Sequence, residues 1–365
     1  MTYQPAPAAA ETTIRTERDS LGEKDVPKDA YWGISTFRAI ENFPVSGRSI
    51  GSFRSLVWAL GAVKCAAART NESLGLLPRD KSAAIQTASL EVMEGKFDRH
   101  FAVDRIQGGA GTSTNMNANE VIANRALEIL GHSKGEYTHL HPIDHVNRSQ
   151  STNDVYPTAV KIALQRDLMD LRSELTNLSD AFKAKAEEFA RIVKVGRTQL
   201  QDAVPMTLGQ EFGAFAATLR EDRDRLQELL PHLNESNMGA TAIGTGITAP
   251  PDYRQTVVAE LAKITNLDIV SATNLVEATG DTGVFLLVSG VLKRAAVKLS
   301  KVCNDLRLLS SGPQSGLGEI FLPAVQAGSS IMPGKVSVVT GLTPLLGHAM
   351  AAELAASQKS SARAA

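Results

Sequence analysis

The 365-residue chain is 43% apolar and 21% charged, and its 38 Lys and Arg offset 39 Asp and Glu to a net charge of −1. This balance argues against nucleic acid or an acidic membrane as a partner. Two cysteines, no signal-peptide pattern and no apolar run long enough to span a bilayer together predict a soluble cytoplasmic protein.

The first half of the chain predicts short helices separated by polar loops. Residues 1–13 are rich in Ala and Pro and predict a disordered tail, and residues 14–50 are punctuated by Pro and Gly and predict irregular structure. Helices are predicted at 52–73, 79–95 and 118–130. A Gly-rich passage precedes the third helix, and a loop dense in His, Asn and Ser is predicted at 131–157.

Three long helical patterns dominate the second half. In the first, which is uninterrupted by Gly or Pro over 158–195, apolar residues alternate steps of four and three (Leu164, Leu168, Leu171, Leu175, Leu178, Phe182). Similar patterns follow at 208–226 and 295–309, joined by polar, Gly-rich segments at 196–205 and 237–253. Such seams predict helices that pack along their length, so the fold class is all-α with a central bundle of long helices.

Four segments combine hydroxyl or amide side chains with glycine or a helix start: GAGTSTNMN (109–117), QSTND (150–154), GRTQLQDA (196–203) and GSSIMPGKV (328–336). Together they present O–H and N–H donors of the kind that bind carboxylates. The alternative is that each one simply caps a helix or forms a turn. In the fourth segment, Lys335 and loop N–H groups are expected to stabilise an oxyanion on one of the two serines. The alternative for this segment is a flexible linker.

Other patterns carry less chemistry. His139, His141 and His145 lie in a loop without an acidic or Cys partner at a known zinc spacing, so no metal site is predicted. GTGITAP at 244–250 is not a dinucleotide fingerprint, because no strand precedes it and its glycine spacing differs.

Seven blocks, in order along the chain, resemble those of the aspartase/fumarase superfamily. They are IRTERDSLGEKDVPKDAYWGISTFRAIENF, GGAGTSTNMNANEVIANRA, HPIDHVNRSQSTND, GRTQLQDAVPMTLGQE, NMGATAIGTG, KVCNDLRLLSSGP and GSSIMPGKV, the last of which looks like the superfamily's signature loop. The resemblance extends from Ile14 to Val336.

The resemblance implies a helical N-terminal domain (14–150), a central helix-bundle domain (151–336) and a short remnant of a C-terminal domain (337–365). It also implies a homotetramer in which each active site is assembled from three subunits. The implied reaction is reversible elimination of ammonia from L-aspartate to give fumarate, through an aci-carboxylate intermediate. No cofactor is implied, and Mg²⁺ activation is left open.

The same resemblance assigns roles to individual residues. Ser329 matches the general base that removes the C3 proton, and Lys335 matches the partner of the α-carboxylate. Asn153 and Thr198 match positions near the amino group. The β-carboxylate is expected to bind to Thr112, Ser151, Thr152 and Ser330.

The chain departs from the superfamily pattern in two places. Gln199 stands where fumarases and many aspartases carry His and some aspartases carry Gln, which favours ammonia elimination over hydration. After Val336 the signature does not continue into the expected long helices, so the resemblance implies that an internal segment of the family pattern is missing there. Two alternatives therefore stay open: fumarate hydration on the same fold, and a catalytically inactive member that has lost activity with that segment.

Overall fold

The computed structural model describes residues 14–312 and 314–323. Its helices are α1 (Ile34–Asn42), α2 (Arg54–Ser73), α3 (Arg79–Met93), α4 (Thr112–Ile129), α5 (Thr152–Glu188), α6 (Leu208–Leu233), α7 (Tyr253–Thr265), α8 (Leu275–Gly280) and α9 (Gly283–Leu309). Its short strands are β1 (Ile14–Asp19), β2 (Gly22–Pro27), β3 (Val193–Thr198), β4 (Gln201–Thr207), β5 (Glu235–Ser236) and β6 (Val270–Ser271). The predicted tail at 1–13 and the C-terminal remnant at 337–365 lie outside the described residues.

The predicted helical fold is confirmed, but several local predictions were wrong. Residues 14–50 are not irregular: β1 and β2 pair as an antiparallel hairpin, and α1 follows them. The segment at 196–205 is not a loop but part of a second antiparallel hairpin, β3–β4. Helices α7 and α8 were not predicted. Strands β1 (IRTERD), β2 (GEKDVP) and β4 (QDAVPMT) lack the apolar alternation that is typical of a strand, and in β3 (VKVGRT) it extends over only three residues.

The chain forms two compact units that do not follow chain order. One contains residues 14–165 and 233–281, and the other contains 166–232 and the described residues from 282 onward. Helix α5 contributes its first part to one unit and its remainder to the other. The domain boundaries at 150 and 336 stay a prediction.

The first unit is built around α2, which is buried along most of its length. Small residues on α2, α3 and α4 allow these helices to approach closely, and the same core includes buried side chains of α7 such as Tyr253, Val257 and Leu261. A Cβ atom on Gly61 of α2 would lie 3.0 Å from the backbone oxygen of Ser89 on α3. Close packing of this kind makes α2, α3 and α4 rigid, and α4 begins within one of the predicted polar segments.

Helix α1 has no capping side chain of its own, and two buried carboxylates from elsewhere cap it instead. Glu120 on α4 accepts the backbone N–H groups of Gly33, Ser35 and Thr36 at 2.8–3.1 Å, and Glu17 accepts that of Ile34 at 2.8 Å. All the N–H groups that a helix N-terminus leaves unpaired are thereby satisfied.

Replacing Glu120 with Ala should lower the free energy of unfolding by about 3 kcal/mol, because three buried N–H groups lose their acceptor at about 1 kcal/mol each. Urea unfolding followed by circular dichroism measures the change. Glu94→Ala is the matched control, since this side chain is 59% exposed and its loss should cost less than about 0.5 kcal/mol. Equal midpoints for the two variants would show that the cap contributes nothing.

The second unit is a bundle of the remaining part of α5 with α6 and α9. Most of the predicted seam of α5 is confirmed: Leu168, Leu175, Leu178 and Phe182 are buried, whereas Leu164 and Leu171 are partly buried. Phe182 meets the rings of Phe212 and Phe215 on α6 at centroid distances of 5.9 and 5.6 Å. The buried Asp222 of α6 pairs with Arg294 of α9, so an ion pair joins these two helices. Within the described residues, no helix combines the length and apolarity needed to cross a membrane.

Candidate functional site

The Gly-rich segment before α4 leads directly into the helix at Thr112. Gly111 adopts a φ of 87°, and a Cβ atom there would lie 2.3 Å from the ring of Tyr156, so only glycine fits. The Gln107 side chain accepts the N–H of Thr114 at 3.0 Å and donates to its hydroxyl at 2.7 Å. This capping starts α4 at 112 instead of the predicted 118 and leaves Thr112 exposed in the first turn.

A reciprocal cap starts α5 at the second polar segment. The Ser151 hydroxyl accepts the N–H of Asn153 at 3.2 Å, and the Asp154 carboxylate accepts the N–H of Ser151 at 2.9 Å. The helix therefore begins at Thr152, inside the segment 131–157 that was predicted as a loop. Ser151, Thr152 and Asn153 are all partly exposed at this helix N-terminus, where N–H groups and the helix dipole favour an anion.

Lys64, fully buried in the middle of α2, connects the two segments. Its ammonium donates to the side-chain oxygens of Asn115, Asn147 and Gln150 at 2.7, 2.8 and 2.9 Å. Asn115 in turn donates to the Thr152 hydroxyl at 3.1 Å. The first turn of α4, which carries Thr112, and the start of α5 are thereby brought together by one buried cation.

Asp154 also binds a third segment, the loop after β5, at the start of α5. Its second carboxylate oxygen accepts the N–H groups of Gly239 and Thr241 at 3.2 and 2.9 Å. One residue further on, the Ala242 carbonyl accepts the Asn153 side-chain amide at 2.7 Å. The Gly-rich loop after β5 is thus held against Asn153, as close backbone approach at several glycines allows.

Burial moves the pKa values of both charged groups toward neutrality. It lowers the pKa of the Lys64 ammonium to about 7, against the opposing influence of Asp154. It raises the pKa of the Asp154 carboxyl to about 7, opposed chiefly by the backbone N–H groups of Ser151 and Thr241 and by Lys64. Two buried groups with perturbed pKa values, lying beneath exposed hydroxyl and amide donors, mark a candidate functional site.

Thr198 and Gln199 lie in the second unit, at the tip of the β3–β4 hairpin. Thr198 pairs with Gln201, so Gln199 and Leu200 form the two-residue turn, with φ values of 51° and 62°. All three residues from 198 to 200 are exposed. The hairpin therefore presents Thr198 and Gln199 to the surroundings instead of burying them in its own unit. Ser329, Ser330 and Lys335 lie outside the described residues.

The three loop histidines, His139, His141 and His145, do not form a metal-binding cluster with one another. His145 accepts the backbone N–H of His141 at 2.7 Å, and His141 accepts the N–H groups of Ile143 and Asp144, so both have structural roles. His139 instead stacks on His132, and these two histidines form a group with Glu136 whose possible ligand atoms lie within 4.8 Å of one another.

Comparison with known proteins identifies the family. A protein-family profile described as Lyase matches residues 22–339. The chain belongs to this lyase family. The aspartate ammonia-lyase of Pseudomonas aeruginosa is 59% identical over 326 residues, which cover 89% of this chain and 69% of that protein. This confirms the predicted resemblance.

Solved structures of lyase-family members agree. A crystal structure of fumarate lyase:delta crystallin from Brucella melitensis bound to cobalt is 57% identical with a TM-score of 0.87, covering 90% of this chain and 72% of that one. A class II fumarase from Schistosoma mansoni is 36% identical with a TM-score of 0.84, covering 92% and 73%. The fold is thus that of the fumarase group within the lyase family.

The sequence prediction missed the groups that lie beneath the candidate site of this lyase. Lys64, Asn115 and Asn147 were not assigned a role, and Asp154 was considered only as a cap of α5. A signal for Lys64 was present, because a single Lys within the apolar run ALGAVKCAAA of a helix needs buried partners. The amide partners of Lys64 could not be predicted, because they lie 51 to 86 residues from it along the chain.

Proposed function

We propose that the chain is an aspartate ammonia-lyase, which converts L-aspartate reversibly into fumarate and ammonia. The observation that carries the proposal is identity of 53–59% over about 90% of the chain with proteins named aspartate ammonia-lyase. The donors of Thr112, Ser151, Thr152 and Asn153, carried on two neighbouring helix starts, support it, because an elimination of this kind must bind and polarise a dicarboxylate.

In the proposed reaction, the Ser329 oxygen removes the C3 proton of L-aspartate. The electron pair of the broken C–H bond passes into the β-carboxylate, which becomes an aci-carboxylate held by Thr112, Ser151, Thr152 and Ser330. The electrons then return to form the C2–C3 double bond as the C2–N bond breaks and ammonia leaves. Donors aimed at the charge that develops lower the barrier, and losing one costs about 3 kcal/mol.

The remaining assignments concern the other end of the substrate. Lys335 pairs with the α-carboxylate, and Asn153, Thr198 and Gln199 lie near the amino group. These steps need no resident cofactor, and we place Mg²⁺ only as a possible activator. Gln199 in place of His is the feature that favours ammonia elimination over hydration.

We further propose a homotetramer with active sites shared between subunits, acting in the cytoplasm. Supporting the assembly, α9 exposes Leu286, Leu287 and Val297 at 71, 45 and 61%, and the β3–β4 hairpin exposes Val193 and Val204 at 73 and 70%. Apolar exposure on this scale favours burial by other subunits. Cys65 and Cys303, both buried and unpaired, suit a reducing compartment.

Ultraviolet absorbance of fumarate tests the proposed function. The purified protein should form fumarate from L-aspartate and not from L-malate, and light scattering of the same sample should give the mass of a tetramer. Fumarate from L-malate alone would establish the second candidate, a fumarate hydratase, which the similarity to the Schistosoma mansoni fumarase favours. No fumarate from either substrate would indicate an inactive member of the family.

A further inference from the structure

The loop that follows α4 folds back on itself and brings two histidines face to face. Gly131 ends the helix with a φ of 83°, and the N–H of His132 bonds to the carbonyl of Leu127 at 2.9 Å. The N–H of His139 bonds to the carbonyl of Glu136 at 3.0 Å. As a result, the imidazole rings of His132 and His139 are nearly parallel, at 7°, with centroids 3.8 Å apart.

Glu136 completes a group of three donor side chains. One of its carboxylate oxygens lies 3.5 Å from Nδ1 of His132 and accepts the N–H of Ser133 at 3.2 Å, which orients it toward the rings. One ligand atom from each of His132, Glu136 and His139 lies within 4.8 Å of the others. The hydrogen-bonded loop therefore holds two nitrogens and one oxygen together before any ion is present.

We propose that His132, Glu136 and His139 bind a borderline divalent cation such as Zn²⁺, Co²⁺ or Ni²⁺, with water completing its coordination. Two imidazoles and a carboxylate are a donor set for these ions, whereas Mg²⁺ prefers oxygen ligands alone. This site is therefore distinct from the binding site of any Mg²⁺ that activates the reaction.

Binding requires a small local adjustment. In the stacked arrangement the nitrogen lone pairs of the two imidazole rings are parallel and do not point at one position. Each ring must therefore rotate until one of its nitrogens lies about 2.1 Å from the bound ion. His132 is half-buried and His139 is exposed, which leaves room for that rotation. The bound cation would close the loop between α4 and the segment that carries Asn147 and Gln150, and so stabilise the folded chain.

Calorimetric titration of the untagged, chelator-treated full chain with Co²⁺ tests the proposal. We expect one Co²⁺ per chain with micromolar affinity, a visible absorption spectrum typical of mixed nitrogen and oxygen ligands, and a higher melting temperature. Each of His132→Ala and His139→Ala should weaken binding by at least about 10-fold, and excess Mg²⁺ should not displace the ion.

His141→Ala is the matched control, because His141 also lies beside a carboxylate, 3.5 Å from Asp144, but outside the group of three. Its affinity for Co²⁺ should equal that of the unmodified chain. Binding that persists in a His132→Ala/His139→Ala double variant, or no binding at millimolar Co²⁺, would overturn the proposal. None of these readouts depends on turnover of L-aspartate, so they stand apart from the proposed enzymatic function.

Discussion

Replacing Ser329 with Ala should reduce the turnover of L-aspartate by about 10²–10⁴-fold, the contribution typical of a general base. The proposed base takes a proton from a carbon whose acidity depends on the aci-carboxylate, and alanine has no atom that can accept it. The change removes one oxygen from a small side chain, so the assembly should keep its mass. Steady-state formation of fumarate measures the effect.

Ser330→Ala provides the comparison, because the neighbouring serine is proposed to bind the β-carboxylate and not to take the proton. Losing one such donor costs about 10²-fold or more in turnover, but it should also weaken the binding of succinate, a dicarboxylate that does not react. Ser329→Ala should bind succinate as tightly as the unmodified chain. Turnover that survives in Ser329→Ala would assign the base to another residue.

Lys64→Met should lower kcat/KM for L-aspartate by about 100-fold, although Lys64 itself is too deeply buried to touch substrate. Its ammonium holds Asn115, Asn147 and Gln150, and Asn115 holds the Thr152 hydroxyl. Without the cation these amides lose their common donor and the start of α5 can shift. A displacement of about 1 Å at a positioned group costs about that factor.

A purely structural role for Lys64 would lower the urea midpoint and leave the kinetics of the folded fraction unchanged. We therefore expect the Lys64→Met variant to show the loss in kcat/KM without urea, where circular dichroism shows that the chain is fully folded. Gln150→Ala, which removes only one of the three acceptors, should give a smaller loss in the same direction. Lys96→Met is the control, since this lysine is 56% exposed and should change neither quantity. Normal kinetics in a folded Lys64→Met variant would contradict the positioning role.

The long helices could be predicted because their signal is local. The leucine seam of α5 and the patterns of α6 and α9 repeat every three or four residues, and the structure buries those residues except Leu164 and Leu171, which are partly buried. The two hairpins gave no such signal. At the tip of β3–β4, Gln199 and Leu200 adopt positive φ values where Asn or Gly is usual, so nothing in the sequence marked a tight turn.

In the candidate site, too, the local features could be predicted from the sequence and the contacts between distant residues could not. Thr112, Ser151, Thr152 and Asn153 were predicted because each lies in a contiguous polar motif that resembles a block of the family, and the structure brings them to two neighbouring helix starts. The contact of Asp154 with the loop after β5 was not predicted, because its partners Gly239 and Thr241 are more than eighty residues away along the chain. Pairings between distant positions leave no periodic trace in a single sequence.

By itself, therefore, the sequence determined the family, the helical bundle and the polar segments, since contiguous motifs and helical periodicity record local structure. Only the tertiary structure decided which groups support those segments. The ammonium of Lys64 beneath the site, the capping of α1 by Glu17 and Glu120, and the meeting of His132 with His139 all depend on how the chain folds back on itself. Each is a contact in which a polar or charged group finds its partner by packing, and packing is set by the whole core.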